Sequence, residues 1–338
     1  MPDRRGATIG APAGIERPPG APDLELVALG TGARWPTPER GVAASVVMRG
    51  ADHVLIDCGE GTQRQMMRSV AGLRRLAVIL VTHCHADHVL GLPGLLATLS
   101  EARTEPLVIL GPVGIRAVVD GFRVHFGALA FPLTIREVEP GDIERREGYR
   151  LTAVAASHRI PSLAWALEED PLPGHLIEER LLRLGVPSGP QRAALARGEE
   201  AVLADGRRIV PEQVTGPRRP GRRIVASGDT RPAPAVERAA EGADLLLHEA
   251  TFLERDRDLA VRTGHSTAAD AARLASRAGV GLLALVHRSS RYAREDVLAE
   301  ARAVFGATVA PQDLDLIEVP LPERGPPRLR PGGGRAGS

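Results

Sequence analysis

The sequence predicts an α/β protein whose strands carry polar residues to one rim of a sheet. Short apolar runs alternate with stretches of helical periodicity over most of the chain. Five of the apolar runs end on His or Asp. A segment rich in Pro, Gly and charge, about residues 161–221, breaks the alternation between two of them.

Taken in order, "LELVALGTGA" from Leu24 is a strand running into a glycine turn. "ASVVMRG" and "HVLIDCGEGT" form a hairpin, and "GTQRQMMRS" a helix. "LAVILV" (Leu76 to Val81) is a buried strand leading directly into "THCHADH". "GLPGLLATLSEAR" is a helix, "PLVILGP" a strand, and "GIRAVVDGFRVHFG" a helix. "YRLTAVAASH" is a strand ending on His158. Within the interruption, "HLIEERLLRLG" and "PQRAALARG" are short helical stretches, and the whole reads as an inserted arm. "RIVASGDT" is a strand ending on Asp229, "AVERAAEGA" a helix, and "DLLLHEAT" a strand ending on His248 and Glu249. "STAADAARLASRAG" is a helix capped by Ser266 or Thr267, and "VGLLALVH" a strand ending on His287.

The 338 residues allow one large domain or two small ones. Hydrophobic residues at 43% and charged residues at 25% are ordinary for a globular protein, and no apolar run is long enough to span a bilayer. Residues 1–23 lack the apolar stretch of a secretory signal and read as a disordered leader, as residues 321–338 read as a disordered tail. The two cysteines exclude a disulfide framework, which suits the cytoplasm. Alternation turns Cys84 away from His83 and His85, making it a packed thiol. Every basic residue is arginine, and asparagine is absent too, which points to a compositional bias. A net charge of +1 gives no global nucleic-acid signature; "GPRRPGRR" reads as a solvated loop or a phosphate contact.

The cluster His83–His85–Asp87–His88 carries the chemistry. Imidazole suits zinc, and carboxylate can bridge or cap it. No helix face holds this spacing, so the site belongs on a loop at a strand end. One metal could take His83, His85 and His158, and a second Asp87, His88 and His287, with Asp229 between them. His53, His125 and His175 fall outside the pattern. Two metals about 3.5–4 Å apart suit phosphodiester hydrolysis. Asp87 could orient or deprotonate the attacking water; His265 or His248, with Glu249 near in sequence, could supply a proton to the leaving group.

"LGTGARWPTPERG", "LIDCGEGTQRQ", "THCHADHVLGLPGLL", "SHRIPS", "GVPSGP", "SGDTRP", "LLLHEATF", "GHST" and "LVHRSSRY" follow one another in that order. Over residues 25–318 the chain therefore resembles the metallo-β-lactamase superfamily and, within it, the ribonuclease Z family of tRNA 3′-processing endonucleases. The resemblance implies an αββα sandwich over residues 24–320 with an inserted flexible arm. It implies two zinc ions per subunit on His83, His85, Asp87, His88, His158, Asp229 and His287. It implies Asp87 as proton acceptor and His265 as proton donor to the leaving 3′-oxygen. Precursor tRNA would be cut after the discriminator base, leaving a tRNA 3′-hydroxyl and a trailer 5′-phosphate. The family's arm motif falls on Gly185, Pro187, Gly189 and Pro190, and in a homodimer one subunit's arm presents tRNA to the other's site.

One loop departs from the family pattern P-x-K-x-R-N. "PTPERG" keeps Pro36 and Arg40 but has Pro38 and Gly41 where lysine and asparagine stand. The competing reading is a small-molecule hydrolase of the same fold, a phosphodiesterase, arylsulfatase or lactonase, which has no need of an arm. A non-catalytic RNA-binding scaffold would have eroded ligands, and none is missing. With aromatics at 3%, RNA contacts are expected to come chiefly from arginine and loop amides rather than base stacking.

Overall fold

A computed structural model describes residues 23–332. The expected leader, Asp23 apart, and residues 333–338 of the expected tail lie outside the described residues. The first half runs β1 (Leu24–Gly30), β2 (Ala44–Arg49), β3 (Asp52–Ile56), α1 (Thr62–Arg68), β4 (Leu76–Leu80), α2 (Ala86–Val89), α3 (Leu92–Ser100), β5 (Leu107–Gly111), α4 (Ile115–Phe126) and β6 (Leu133–Glu137). Then come β7 (Ile143–Arg146), β8 (Tyr149–Ala155), β9 (Leu163–Glu169), α5 (Glu178–Leu184), α6 (Pro190–Ala196), β10 (Ala201–Val202), β11 (Arg208–Ile209) and α7 (Pro211–Val214). The chain finishes with β12 (Arg223–Ala226), α8 (Pro234–Ala240), β13 (Leu245–Glu249), α9 (Arg257–Thr263), α10 (Ala268–Ala278), β14 (Leu282–Val286), α11 (Arg294–Arg302), β15 (Thr308–Val309), β16 (Leu316–Glu318) and β17 (Arg328–Arg330).

Two large sheets form, ordered β17-β16-β1-β2-β3-β4-β5-β6 and β15-β14-β13-β12-β9-β8-β7, beside a two-stranded sheet of β10 and β11. Strand periodicity explains their packing, because successive side chains leave opposite faces. In β1, Leu24 and Leu26 enter the core shared by both sheets, while Val27 and Leu29 face an outer core. In β13, Leu245 and Leu247 point into the shared core and Leu246 points outward. Both faces are buried, so the strands read as continuous apolar runs rather than alternating ones. Leu92, Leu95, Leu96 and Leu99 of α3, with Ile115 and Val119 of α4, cover the first sheet. The alanine-rich face of α10, with Val236 of α8 and Val297 of α11, covers the second. The result is the expected αββα sandwich.

Two expected boundaries move. The segment from residue 161 was read as arm, yet Leu163–Glu169 is core strand β9, paired antiparallel to both β8 and β12. The chain leaves the sheet only after Glu169. Its excursion is compact, with Leu181, Val186, Leu195, Ile209 and Val214 forming a separate small core. The neck is tight: a Cβ on Gly174 would lie 2.1 Å from Gly216 O, so only glycine permits the two chains to pass. The expected tail also begins too early. Arg328–Arg330 pairs with β16, adding an edge strand to the first sheet.

Candidate active site

The parallel strands β3, β4, β12, β13 and β14 deliver functional residues at or just beyond their carboxyl ends, where α/β sheets usually place ligands. His83 and His85 lie in the loop after β4. Asp87 and His88 sit on the single turn of α2, a short helical addition to the loop expected from the spacing. His158 follows β8 by three residues, and Asp229 follows β12 by three. His287 immediately follows β14 in left-handed backbone, φ 49°, a strained geometry of the kind concentrated at functional sites.

These side chains converge as two groups. His83, His85, His158 and Asp229 form one, and Asp87, His88 and His287 the other; within each, the ligand atoms lie within 4.8 Å of one another, and Asp229 and His287 meet His265 within the same distance. His83 Nε2 is 2.9 Å from His85 Nδ1, and His158 Nε2 is 3.4 Å from that same atom. Asp229 stands between the groups, with Oδ2 3.6 Å from both His83 Nε2 and His88 Nε2. His287 Nε2 lies 3.3 Å from Asp87 Oδ2.

The donor set fits metal ions. Asp229 Oδ1 is buried without a hydrogen-bond partner. The opposite ring nitrogens of the histidines are occupied: His158 Nδ1 donates to Gly264 O at 2.7 Å, and His88 Nδ1 to Asp57 Oδ2 at 2.8 Å. That pattern fixes the tautomer and turns the other nitrogen's lone pair inward, as metal-bound histidines require. Gly264 permits the close approach of His158, whose Nδ1 would lie 3.0 Å from a Cβ there. Burial lowers the pKa of His83, His85 and His158. Burial opposes ionisation of Asp229, but the neighbouring His287, His88 and His83 outweigh it and hold the carboxyl well below its ordinary range. Burial opposes a charge on His88 too, but Asp57 and Asp229 overcome it and hold its pKa well above the ordinary value, so these buried carboxylates draw positive charge to the cluster, a charge that a bound cation supplies.

Asp87 is also oriented from outside the cluster. Its Oδ2 accepts the backbone N–H of Arg34 at 2.7 Å. Burial opposes its ionisation too, but the hydrogen bond from His287 and the charges of His88 and His287 prevail and lower its pKa. His265 and Glu249 form a second unit. His265 Nδ1 is 2.9 Å from Glu249 Oε1, which also accepts the Thr230 N–H at 2.8 Å. Burial resists a charge on His265, but Glu249 overrides it and raises the pKa to about 9. His265 is thus held protonated near neutrality with its Nε2 free of Glu249. His248 takes the other branch of the sequence reading: it shares the outward side of β13 with Leu246 and joins neither ligand group. Its Nδ1 contacts Glu249 O, and its Nε2 is buried without a partner.

Arg40 lies beside the site, its Nη1 donating to Arg288 O at 2.9 Å and bracing the chain just after His287. Gly185, Pro187 and Gly189 lie in the exposed turn joining α5 to α6, and Pro190 opens α6, on the excursion with its own core. Three supports escaped the sequence reading. Asp57 anchors His88 and receives the Thr82 N–H at 2.7 Å; Thr251 Oγ1 donates to Glu249 and lies 2.9 Å from His287 Nδ1; the Arg34 amide holds Asp87. Asp57 had a legible signal, since it follows an apolar strand just as Asp229 does.

Residues 52–177 match the family described as "Beta-lactamase superfamily domain". The ribonuclease Z of Methanosarcina acetivorans is 43% identical over 301 residues, covering 88% of this chain and 98% of that protein. The ribonuclease Z of Myxococcus xanthus is 44% identical over 304 residues, with the same shares covered. Among solved structures, the short form of human tRNase Z aligns with a TM-score of 0.65 and 28% identity, covering 88% of this chain and all of that one.

Proposed function

The chain belongs to the ribonuclease Z family, and we propose from that premise how its site cuts precursor tRNA at the 3′ end. It is a phosphodiester hydrolase of the tRNA 3′-endonuclease type. The observation that carries the mechanism is the convergence of seven ligand side chains into two groups joined by Asp229. His83, His85 and His158 would hold one zinc ion, Asp87, His88 and His287 the other, with Asp229 shared. Bound zinc supplies Lewis acidity, lowering the pKa of water and countering charge on phosphate oxygens.

The remaining steps fall to the chain itself. Asp87, pinned by the Arg34 amide and His287, orients the attacking water and accepts its proton. His265, protonated through Glu249, gives a proton to the departing 3′-oxygen. Thr251 and Thr230 hold the Glu249 carboxylate, so the donor keeps its aim. The products are a tRNA 3′-hydroxyl and a trailer 5′-phosphate. The arm, its turn at Gly185, Pro187, Gly189 and Pro190 exposed, grips the tRNA body away from the chemistry. The working unit is a cytoplasmic homodimer; exposed Met67 on α1, Val70 shortly after that helix and Leu90 at the end of α2 supply apolar surface for a second copy.

The test is cleavage of a 3′-extended precursor tRNA with both product ends mapped, beside metal analysis of the purified protein. Cleavage after the discriminator base with two zinc ions per chain is expected. A stoichiometry of one or none after zinc loading would overturn the two-metal reading.

A further inference from the structure

The fold conceals nearly all of its few aromatic side chains. The chain has five Phe, two Trp and two Tyr, and all lie among the described residues. Eight are buried or half-buried; Trp35 alone is exposed, at 52%. It is also the one whose backbone neighbour touches the catalytic carboxylate. The Arg34 N–H donates to Asp87 Oδ2, and Arg34 adopts left-handed backbone, φ 70°, to do so. That geometry is unfavourable for arginine and has to be enforced by its surroundings.

The enforcement is visible. Ala33 N donates to Arg288 O, Gly32 N to Gly41 O, and Trp35 N back to Ala33 O at 2.9 Å. The Arg34 guanidinium lies over the indole, 4.9 Å from the ring centroid. A flat apolar ring backed by a cation thereby stands at the lip of the site, one residue from the amide that holds Asp87, while half of its surface meets water. Such a surface suits a nucleobase, because base–aromatic stacking needs only a π-face and an adjacent cation assists it.

We propose that Trp35 is the stacking platform for the base of the first trailer nucleotide. This rests on the precursor-cleavage reading above. The side follows from the chemistry. In-line displacement places the attacking and leaving oxygens on opposite sides of phosphorus. His265 marks the leaving 3′-oxygen and hence the tRNA body. It lies beyond the His287 ring, stacked on it with centroids 5.6 Å apart, while Asp87 is reached from His287 Nε2. The tRNA body therefore departs away from the lip at Asp87, whereas the trailer 5′-oxygen is equatorial at phosphorus, beside the line of attack, which leaves the trailer base the nearer of the two to that lip. Aromatic scarcity, which argued against stacking as a general mode of binding, makes this single exposed ring conspicuous.

The test is a cycle of enzyme and substrate changes. Wild type, Trp35→Ala and Trp35→Phe are assayed on precursors carrying a normal or an abasic first trailer nucleotide. Wild type is expected to lose about tenfold in kcat/KM on the abasic precursor. Trp35→Ala should lose about as much on the normal precursor and then be indifferent to the abasic one, while Trp35→Phe should retain most of the effect. Equal sensitivity of Trp35→Ala and wild type to the abasic site would overturn the proposal. So would a cycle that couples Trp35 to the discriminator base instead. If the precursor-cleavage reading itself were wrong, wild type would cut neither precursor, a result distinct from both.

Discussion

At the scale of single residues, Asp57 and Glu249 show how the site is held from behind. Asp57 fixes His88 by a 2.8 Å contact. Replacing it with alanine leaves that histidine without its orienting acceptor, and zinc affinity should fall about 10–100-fold. Competition against a chelator measures this without reference to activity. Glu249 acts through His265, whose pKa it raises to about 9. A proton donor works while protonated, so activity should decline as pH rises through that value. In Glu249→Gln the support is lost, and the alkaline limb of the kcat profile should move down toward the ordinary imidazole value of about 6.5. An unmoved limb would assign it to another group. The altered "PTPERG" loop also acts residue by residue. Pro38 offers no charge and no backbone donor, whereas Arg40 is retained. At Gly41 an added Cβ would lie 3.4 Å from Asp313 Oδ2, an ordinary contact, so asparagine fits. The double substitution Pro38→Lys with Gly41→Asn should increase rejection of CCA-bearing precursors by about tenfold, one charge-assisted contact. Matched precursors with and without CCA, at one salt concentration, give the ratio.

At the scale of elements, the arm is the separable part. It has its own core, and its two ends are joined by backbone hydrogen bonds between Leu172 and Arg219. Its arginines are largely paired internally, as in Arg183–Glu179, Arg192–Glu178 and Arg197–Glu199. Exposed pairs of this kind contribute little to stability, so they can exchange partners for phosphates. Excising residues 173–218 and closing the gap with a short Gly-Ser turn should leave the sandwich folded. Precursor cleavage should drop by orders of magnitude, while hydrolysis of a chromogenic phosphodiester continues. Parallel loss of both activities would place the arm in the catalytic fold.

At the scale of the whole molecule, a buried ion pair ties the two sheets. Glu169, at the end of β9, receives Arg222 Nε at 2.6 Å and Arg49 Nε, from β2 of the other sheet, at 2.8 Å. Burial opposes its ionisation, but the two arginines prevail and hold the carboxyl below the ordinary glutamate range. Its stabilisation is therefore present above the unfolded value of about 4.3 and is lost as pH falls through the lower folded value. Glu169→Ala should destabilise by about 3–5 kcal/mol, since it leaves buried Arg222 without its carboxylate. Chemical denaturation at neutral pH reads the difference, which should shrink in acid.

The sequence by itself determined most of the strands and their polar endings, and singled out the seven candidate ligand side chains that the fold brings together, because strand periodicity and donor chemistry are local properties. It also carried the αββα sandwich, through motifs whose order follows the chain. The tertiary structure decided what depends on neighbours. β9 reads as part of the arm until its pairing with β8 and β12 draws it into the sheet. β17 reads as tail until β16 offers an edge. Which of His248 and His265 faces the cluster turned on the face of β13, because adjacent residues on a strand point opposite ways and Glu249 takes the side of the cluster, where it meets His265. Asp57, Thr251 and the Arg34 amide act on groups 31, 36 and 53 residues away, distances across which no local pattern assigns a partner.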